Sequence, residues 1–379
     1  MIMKIAIDAR GLLGGGNLTG VGFYAYKLLE KLFELDQENQ YVLFSNSIKE
    51  NKIAQQLVKG KNTTYYSKKI PNKLFNFSLK FLGKPYLDRL VGGADIFWFP
   101  NLNFWSVSPG CPTIVTVHDL SFIKTSELYS PKMRLWHKAI GINQKLKNAA
   151  KIVAVSQSTK DDLITTYDLL PDKIKVIYPG PIEVKNYLPK TLPFDLPDKY
   201  ILFLGTLEPR KNIIGIIKAF HLLNNPQYHL VLAGGAGWQY SKLIQLVRQL
   251  KLGNRVKFLG YVTPAQQSEL YQRADLFVWP SFYEGFGFPP LEAMRAGVPV
   301  IASANSSMPE VLAQAAILVD PYNIKEIAQT MHLALSDNNL RSKLIANGFE
   351  QVKKYSWEQS AKQMLEVFRE FNLNVPSGK

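Results

Sequence analysis

Cysteine is almost missing from this chain: Cys111 is the single one in 379 residues. An intramolecular disulfide framework and a cysteine-rich zinc site are therefore excluded, which fits a reducing compartment. Beside Pro112, Cys111 reads as a small buried apolar residue. A signal-peptide core is missing too, because Met1 to Lys4 lead through Ile5-Ala6-Ile7 directly to Asp8. No stretch approaches the roughly 18 apolar residues of a membrane span. These absences point to a cytoplasmic protein, with room for a peripheral seat on the inner face of the cell membrane. No Asp-x-Asp pair occurs, so that simple arrangement for holding a divalent ion is lacking as well.

Acidic residues are scarce where basic ones collect. Residues 1–190 hold 26 Lys/Arg against 15 Asp/Glu, which accounts for most of the net charge of +15. From Lys49 to Arg89 there are ten basic residues and two acidic ones, interleaved toward the end with Leu74, Phe75, Phe77, Leu79, Phe81, Leu82 and Tyr86. That mixture suits an anionic membrane surface or a phosphate-bearing acceptor. It is also what a solvated basic face over core aromatics looks like. Nucleic acid is the poorer match, since no recognised nucleic-acid module accompanies the charge.

What the chain does have is a 46% hydrophobic content, enough for two cores. Short apolar runs alternate with helical patterns, the sign of βαβ units and parallel sheets. Ile5–Asp8, Tyr41–Phe44, Ile96–Phe99, Thr113–Val117 and Lys151–Val155 read as strands of a first half. Tyr200–Leu204, His229–Ala233, Val256–Leu259, Leu276–Trp279 and Pro299–Ala302 read as strands of a second. Between them Pro179, Pro181, Pro189, Pro193 and Pro197 interrupt any regular element. The expected plan is an N-terminal doubly wound domain over 1–180, a linker over 181–198, a second doubly wound domain over 199–355, and a C-terminal helix over 356–379 that packs back toward the first domain. Ligands of such folds bind at the carboxyl ends of the strands, so the two domains should face each other across a cleft.

Four segments could carry chemistry. Pro280-Ser281-Phe282-Tyr283-Glu284-Gly285-Phe286-Gly287-Phe288-Pro289-Pro290-Leu291-Glu292 reads as a loop leaving a strand and entering a helix. Prolines tolerate a first helical turn, and free amides there, with the helix dipole, suit a phosphate. Glu284 could accept hydrogen bonds from sugar hydroxyls, and Glu292, in the first turn, from a ribose; a loop acid and a helix-dipole partner are the plain alternatives. Arg210 and Lys211, in Gly205-Thr206-Leu207-Glu208-Pro209-Arg210-Lys211-Asn212, stand where two cations could stabilise a departing pyrophosphate, or simply line a surface turn. His118-Asp119 ends the strand Thr113–Val117, and the acid could orient the imidazole. Lastly, Gly14-Gly15-Gly16 and Thr19-Gly20-Val21-Gly22 follow the first strand without matching the Gly-x-Gly-x-x-Gly dinucleotide fingerprint.

Together these residues resemble the retaining glycosyltransferases of family 4, also called group 1, over nearly the whole chain. The Glu284 and Glu292 pair around Gly-Phe-Gly-Phe-Pro-Pro-Leu, Glu-Pro-Arg-Lys-Asn, and the Ala293 to Val300 run carry the likeness. Thr19-Gly20-Val21-Gly22 with Tyr24 and Tyr26 looks most like bacterial mannosyltransferases of O-antigen and exopolysaccharide assembly. The resemblance implies the α/β GT-B fold of two Rossmann-like domains and a nucleotide-sugar donor, GDP- or UDP-linked, as substrate rather than cofactor. It implies that Arg210 and Lys211 hold the diphosphate and that Glu292 holds the ribose. Glu284, Phe286, Gly287 and Phe288 would contact the transferred sugar, and Thr206, Val262 and Leu291 would border the donor. His118 would lie near the reacting bond, with Asp119, Gly15, Gly16 and Gly20 on the acceptor side. Transfer would proceed with retention and without a metal, to a saccharide or polyprenyl-phosphate-linked acceptor. Some relatives carry an arginine where this chain has Thr206. The rival classes are a nicotinamide-dependent oxidoreductase using the N-terminal glycines, which leaves Glu284 and Glu292 unexplained, and a non-enzymatic sugar-binding protein, which is usually exported.

Overall fold

The computed structural model describes residues 2–12, 18, 20–181 and 195–372. The chain forms two compact units. One comprises Met1–Leu120, Leu135–Gly180 and Ser356–Lys379, the other Ser121–Arg134 and Pro181–Tyr355.

In the first unit seven strands form one sheet: β1 (Lys4–Asp8), β2 (Gln40–Asn46), β3 (Thr63–Lys68), β4 (Ile96–Phe99), β5 (Thr113–Val117), β6 (Lys151–Ala154) and β7 (Ile174–Val176). Their order is β3-β2-β1-β4-β5-β6-β7, with every pairing parallel. Every residue of β4 and β5 is buried, as expected of a parallel sheet covered on both faces. The helix Gly20–Leu35 buries Tyr24, Leu28, Leu29 and Leu32, the positions that recur at helical spacing. Against it packs the last helix, Trp357–Asn372, which buries Trp357, Ala361, Met364, Leu365 and Phe368. Trp357 meets the rings of Phe23 and Tyr24 edge-on, and Phe368 meets Trp98.

The second unit holds β8 (Tyr200–Leu204), β9 (His229–Ala233), β10 (Val256–Gly260), β11 (Leu276–Trp279), β12 (Val300–Ser303) and β13 (Ala316–Val319). The order is β10-β9-β8-β11-β12-β13, again parallel throughout. Phe203, Trp279 and Phe277 stack across its centre. Glycine is required where backbones close on one another: a Cβ on Gly234 would overlap the carbonyl of Gly205.

Each sheet reverses its winding once, between β1 and β4 in the first unit and between β8 and β11 in the second. Loops leaving the carboxyl ends of strands at such a switch point are where doubly wound folds bind ligands. The β8 loop carries Arg210 and Lys211, and the β11 loop carries Glu284.

Candidate functional site

Two loops of the second unit are tied together before any side chain is considered, because the Phe282 amide donates to the Arg210 carbonyl at 2.9 Å. The β12 loop braces them. Ser306 Oγ accepts from the Glu284 amide at 3.0 Å, Ser307 Oγ donates to the Glu284 carbonyl at 3.0 Å, and Asn305 donates to the Phe282 carbonyl at 3.0 Å. On this frame Lys211 Nζ meets Glu284 Oε1 at 2.5 Å and Arg210 Nη1 meets Oε2 at 3.1 Å. Arg210 also reaches the Tyr283 carbonyl at 2.7 Å and Glu208 at 2.9 Å. Lys211 stands 4.5 Å from the centre of the Trp279 ring, a cation on an aromatic face.

Glu284 is 6% exposed. Burial works against its charge, but Lys211, then Arg210, outweigh it and bring the carboxyl down to about 2. Lys211 is itself lowered, by burial first and by neighbouring Arg210 second, with Glu284 opposing both. Two cations thus share one strongly ionised carboxylate, and Glu208 supplies the second acid.

Glu292 occupies a different environment. Its Oε2 accepts from Gln267 at 2.7 Å and from Tyr271 at 2.8 Å, both neutral groups. Burial raises its carboxyl to about 7, with those two hydrogen bonds pulling the other way. Its helix, Phe288–Arg295, begins after Gly287, which puts Glu292 beyond the first turn rather than within it, where the sequence suggested. Pro289 and Pro290 fill the first positions instead, and the dipole acts only weakly at Glu292. Neither proline has an amide hydrogen, so Gly287 and Phe288 carry the N–H groups of that helix start, and Leu291, the fourth position, directs its N–H into the helix. Gly287 has φ of 92°, and a Cβ there would run into Met308 Cε.

Of the remaining donor-side candidates, Phe286 and Leu291 are buried around the same loop and helix, and Phe288 opens that helix. Thr206 is exposed just beyond β8, and Val262 is buried just beyond β10. Both stand at the carboxyl edge of the sheet, and the Thr206 carbonyl accepts from the amide of Glu208 at 2.9 Å. Sequence reasoning missed Gln267 and Tyr271. They lie at i and i+4 on the helix Pro264–Arg273, and the signal for them is a buried tyrosine, whose hydroxyl needs a partner.

In the first unit, His118 follows β5. Its Nε2 lies 2.8 Å from the Pro100 carbonyl, which can only accept, so Nε2 carries the proton and Nδ1 is the acceptor nitrogen. The orienting partner of Nε2 is therefore this carbonyl, and the charge of Asp119 also acts on the ring. Tyr24 packs edge-on against the imidazole at 4.7 Å. Burial lowers the His118 pKa, against the Pro100 contact and Asp119, which favours a neutral ring. Gly20 is the exposed first residue of the helix Gly20–Leu35; Gly15 and Gly16 lie outside the described residues. Cys111 is half-buried rather than buried, and burial, with Asp88 and Asp95, pushes its thiol up to about 12, which makes it a poor nucleophile. No helix among the described residues is long and apolar enough to cross a membrane.

Two family descriptions match this chain: glycosyl transferases group 1 over residues 185–351 and glycosyltransferase family 4 over residues 18–181. The O-antigen chain mannosyltransferase B of Escherichia coli is 30% identical over 373 residues, covering 93% of this chain and 96% of that protein. Sucrose-phosphate synthase from Thermosynechococcus elongatus superposes with a TM-score of 0.72 at 21% identity, over 98% of this chain and all of the other (100%). HepE from Anabaena, solved with UDP and glucose, gives 0.70 at 20% identity over 97% of this chain and 100% of that one. The two superpositions establish the fold.

Proposed function

The chain belongs to the glycosyltransferases of group 1 and family 4, and from that premise we propose that it moves a hexose, mannose from GDP-mannose, to a saccharide or polyprenyl-phosphate-linked saccharide in cell-surface polysaccharide assembly. The observation that carries this reading is the pair of cations, Arg210 and Lys211, gathered on one carboxylate at the switch point of the second sheet.

On donor binding the diphosphate takes the two cations as partners, and Glu284 turns to the hydroxyls of the sugar. The bond from the anomeric carbon to the phosphate oxygen breaks. A bond to the acceptor oxygen forms on the same face, and the acceptor's hydroxyl proton passes to the departing phosphate. Arg210 and Lys211 neutralise the charge released, the part a divalent ion plays in other transferases. The Gly287 and Phe288 amides face the developing anion at the positive end of their helix. Glu292 takes the ribose, Thr206 and Val262 border the nucleotide, and His118 offers Nδ1 as an acceptor to a substrate hydroxyl.

The test is binding and turnover with GDP-mannose, UDP-glucose and UDP-N-acetylglucosamine, with the product's anomeric configuration read by NMR and a chelator present in one arm. Turnover of GDP-mannose alone, with retention and in chelator, supports the whole reading. Turnover of a UDP sugar replaces the donor, an inverted product removes the retaining path, and loss of activity in chelator removes metal independence. A protein that binds no nucleotide sugar sinks the proposal.

A further inference from the structure

The basic stretch singled out from composition forms a surface that the donor chemistry does not use. Residues 51–87 contain eight lysines and no aspartate or glutamate. Within them a helix runs through Asn72–Phe77 and continues as a π-helical turn over Ser78–Leu82. Phe75 and Leu79 point inward, 1% and 4% exposed, and Phe75 packs against Phe44 at 6.1 Å. That is the whole of the core's share. Leu74, Phe77, Phe81 and Leu82 are 63%, 56%, 61% and 67% exposed.

Spacings of three and four along Leu74, Phe77 and Phe81 set these side chains on one stripe, opposite the buried pair. The Phe77 and Phe81 rings touch at 4.7 Å, and Lys80 Nζ lies 4.6 Å from the Phe81 ring centre. Lys69, Lys73, Lys80 and Lys84 are all exposed around the stripe. A contiguous apolar patch in water is costly to leave open and marks an interaction surface. We propose that this face, Leu74, Phe77, Phe81 and Leu82 within their lysine rim, seats the first unit on an anionic lipid bilayer, the rings and leucines entering the acyl boundary and the lysines lying among the phosphate headgroups.

Charge decides the occupant. A second copy would bring another all-positive rim against the first, so self-association through this face is opposed by like charges. A nucleic acid would satisfy the lysines and could stack on the phenylalanines, but it leaves Leu74 and Leu82 in water. A bilayer surface satisfies both: anionic headgroups attract each lysine, and long lysine stems let the ammonium stay in the headgroup layer while the rings go deeper.

Flotation of the full chain with phosphatidylcholine vesicles, with and without phosphatidylglycerol, tests this. The wild type should float with the anionic vesicles and not with the neutral ones, and raised salt should weaken the binding. Phe77→Ser with Phe81→Ser should cut the partition coefficient by about tenfold or more, and Lys73→Glu with Lys80→Glu should do the same for anionic vesicles. Both double variants change exposed side chains, and an unchanged melting temperature confirms that each is folded. Wild type that stays with the pellet, or serine variants that float as well as wild type, overturns the assignment. So does a concentration-dependent dimer that the serine variants abolish, or retention on polyuridylate that depends on the same phenylalanines when no vesicle binding occurs.

Discussion

Glu284→Gln removes one charge and almost no volume from the centre of the ion network, so its effect isolates the electrostatics. The carboxylate sits 2.5 Å from Lys211 Nζ and 3.1 Å from Arg210 Nη1 and is nearly sealed from water. Burial opposes its charge, yet Lys211 and Arg210 bring it from an ordinary 4.5 to about 2. At about 1.4 kcal/mol per tenfold in proton affinity, that gap stabilises the folded protein by about 3 kcal/mol. The contribution is fully present above about pH 4.5, where the unfolded carboxyl is ionised, and is lost as pH falls toward 2. Urea denaturation at pH 7 should therefore show the variant less stable by about 3 kcal/mol, with the two proteins converging as pH drops below 4.5. The neutral amide leaves Lys211 without its counter-charge, and a diphosphate supplies one. Saturating GDP should then stabilise the variant more than the wild type, while sugar transfer falls by about 10²–10³-fold. A variant within about 1 kcal/mol of wild type at pH 7 refutes the charge balance, as does one that GDP stabilises less than the wild type.

Three further outcomes are expected. Glu292→Gln removes a carboxyl that burial raises from 4.5 to about 7. Raising it makes the folded state lose stability, relative to acid, as pH climbs from 4.5 to 7, so the glutamine variant should gain on wild type across that window, by up to about 3 kcal/mol, while binding GDP more weakly. A difference that stays flat with pH contradicts this. Gly287→Ala places a Cβ against Met308 at a φ of 92° and should cost about 2 kcal/mol or more; an unchanged melting temperature would show that the loop relaxes freely. His118→Ala should lower acceptor-dependent transfer by about 10²-fold or more with GDP affinity intact, and equal loss of both would move His118 out of the reaction.

All ten strands expected from periodicity are present to within two residues at either end, and three more exist that the pattern did not disclose: β3, β7 and β13. Each of the three is an edge strand. An edge strand has one neighbour and weaker demands on burial, so β3 reads Thr-Thr-Tyr-Tyr-Ser-Lys and β7 is only Ile-Lys-Val. The central strands are apolar on both faces and cannot be mistaken. The same logic divides the site. Arg210, Lys211 and Glu284 were legible as candidates because loops leaving apolar strands announce themselves. Their convergence on one ion network was not, since Arg210 and Glu284 lie 74 residues apart. Gln267 and Tyr271 were hidden for a similar reason: each belongs to a helix that ends before the β11 motif begins, and only the folded sheet brings them to Glu292. Pro100, which orients His118, offers a backbone carbonyl, and no side-chain pattern can reveal it.

The two carboxylates of the β11 motif show how little a motif fixes by itself. Glu284 and Glu292 are the same residue type, eight positions apart, both buried, and their pKa values move in opposite directions. Burial acts on both in the same sense, so the difference lies in the partners. Two cations reach Glu284, whereas the partners of Glu292 among the described residues are the neutral Tyr271 and Gln267. The helix dipole does not rescue Glu292, because its worth of about 0.3–1 kcal/mol is confined to the first turn and the gap to about 7 corresponds to about 3 kcal/mol. At neutral pH one carboxyl is therefore a fixed negative charge and the other is close to half-protonated. A fixed charge suits a group that must give up cations to an incoming diphosphate and then accept hydrogen bonds from sugar hydroxyls. A carboxyl near its midpoint suits a group that can both donate to and accept from the paired hydroxyls of a ribose, and it makes nucleotide affinity, rather than the chemical step, the quantity that should vary between about pH 6 and 8.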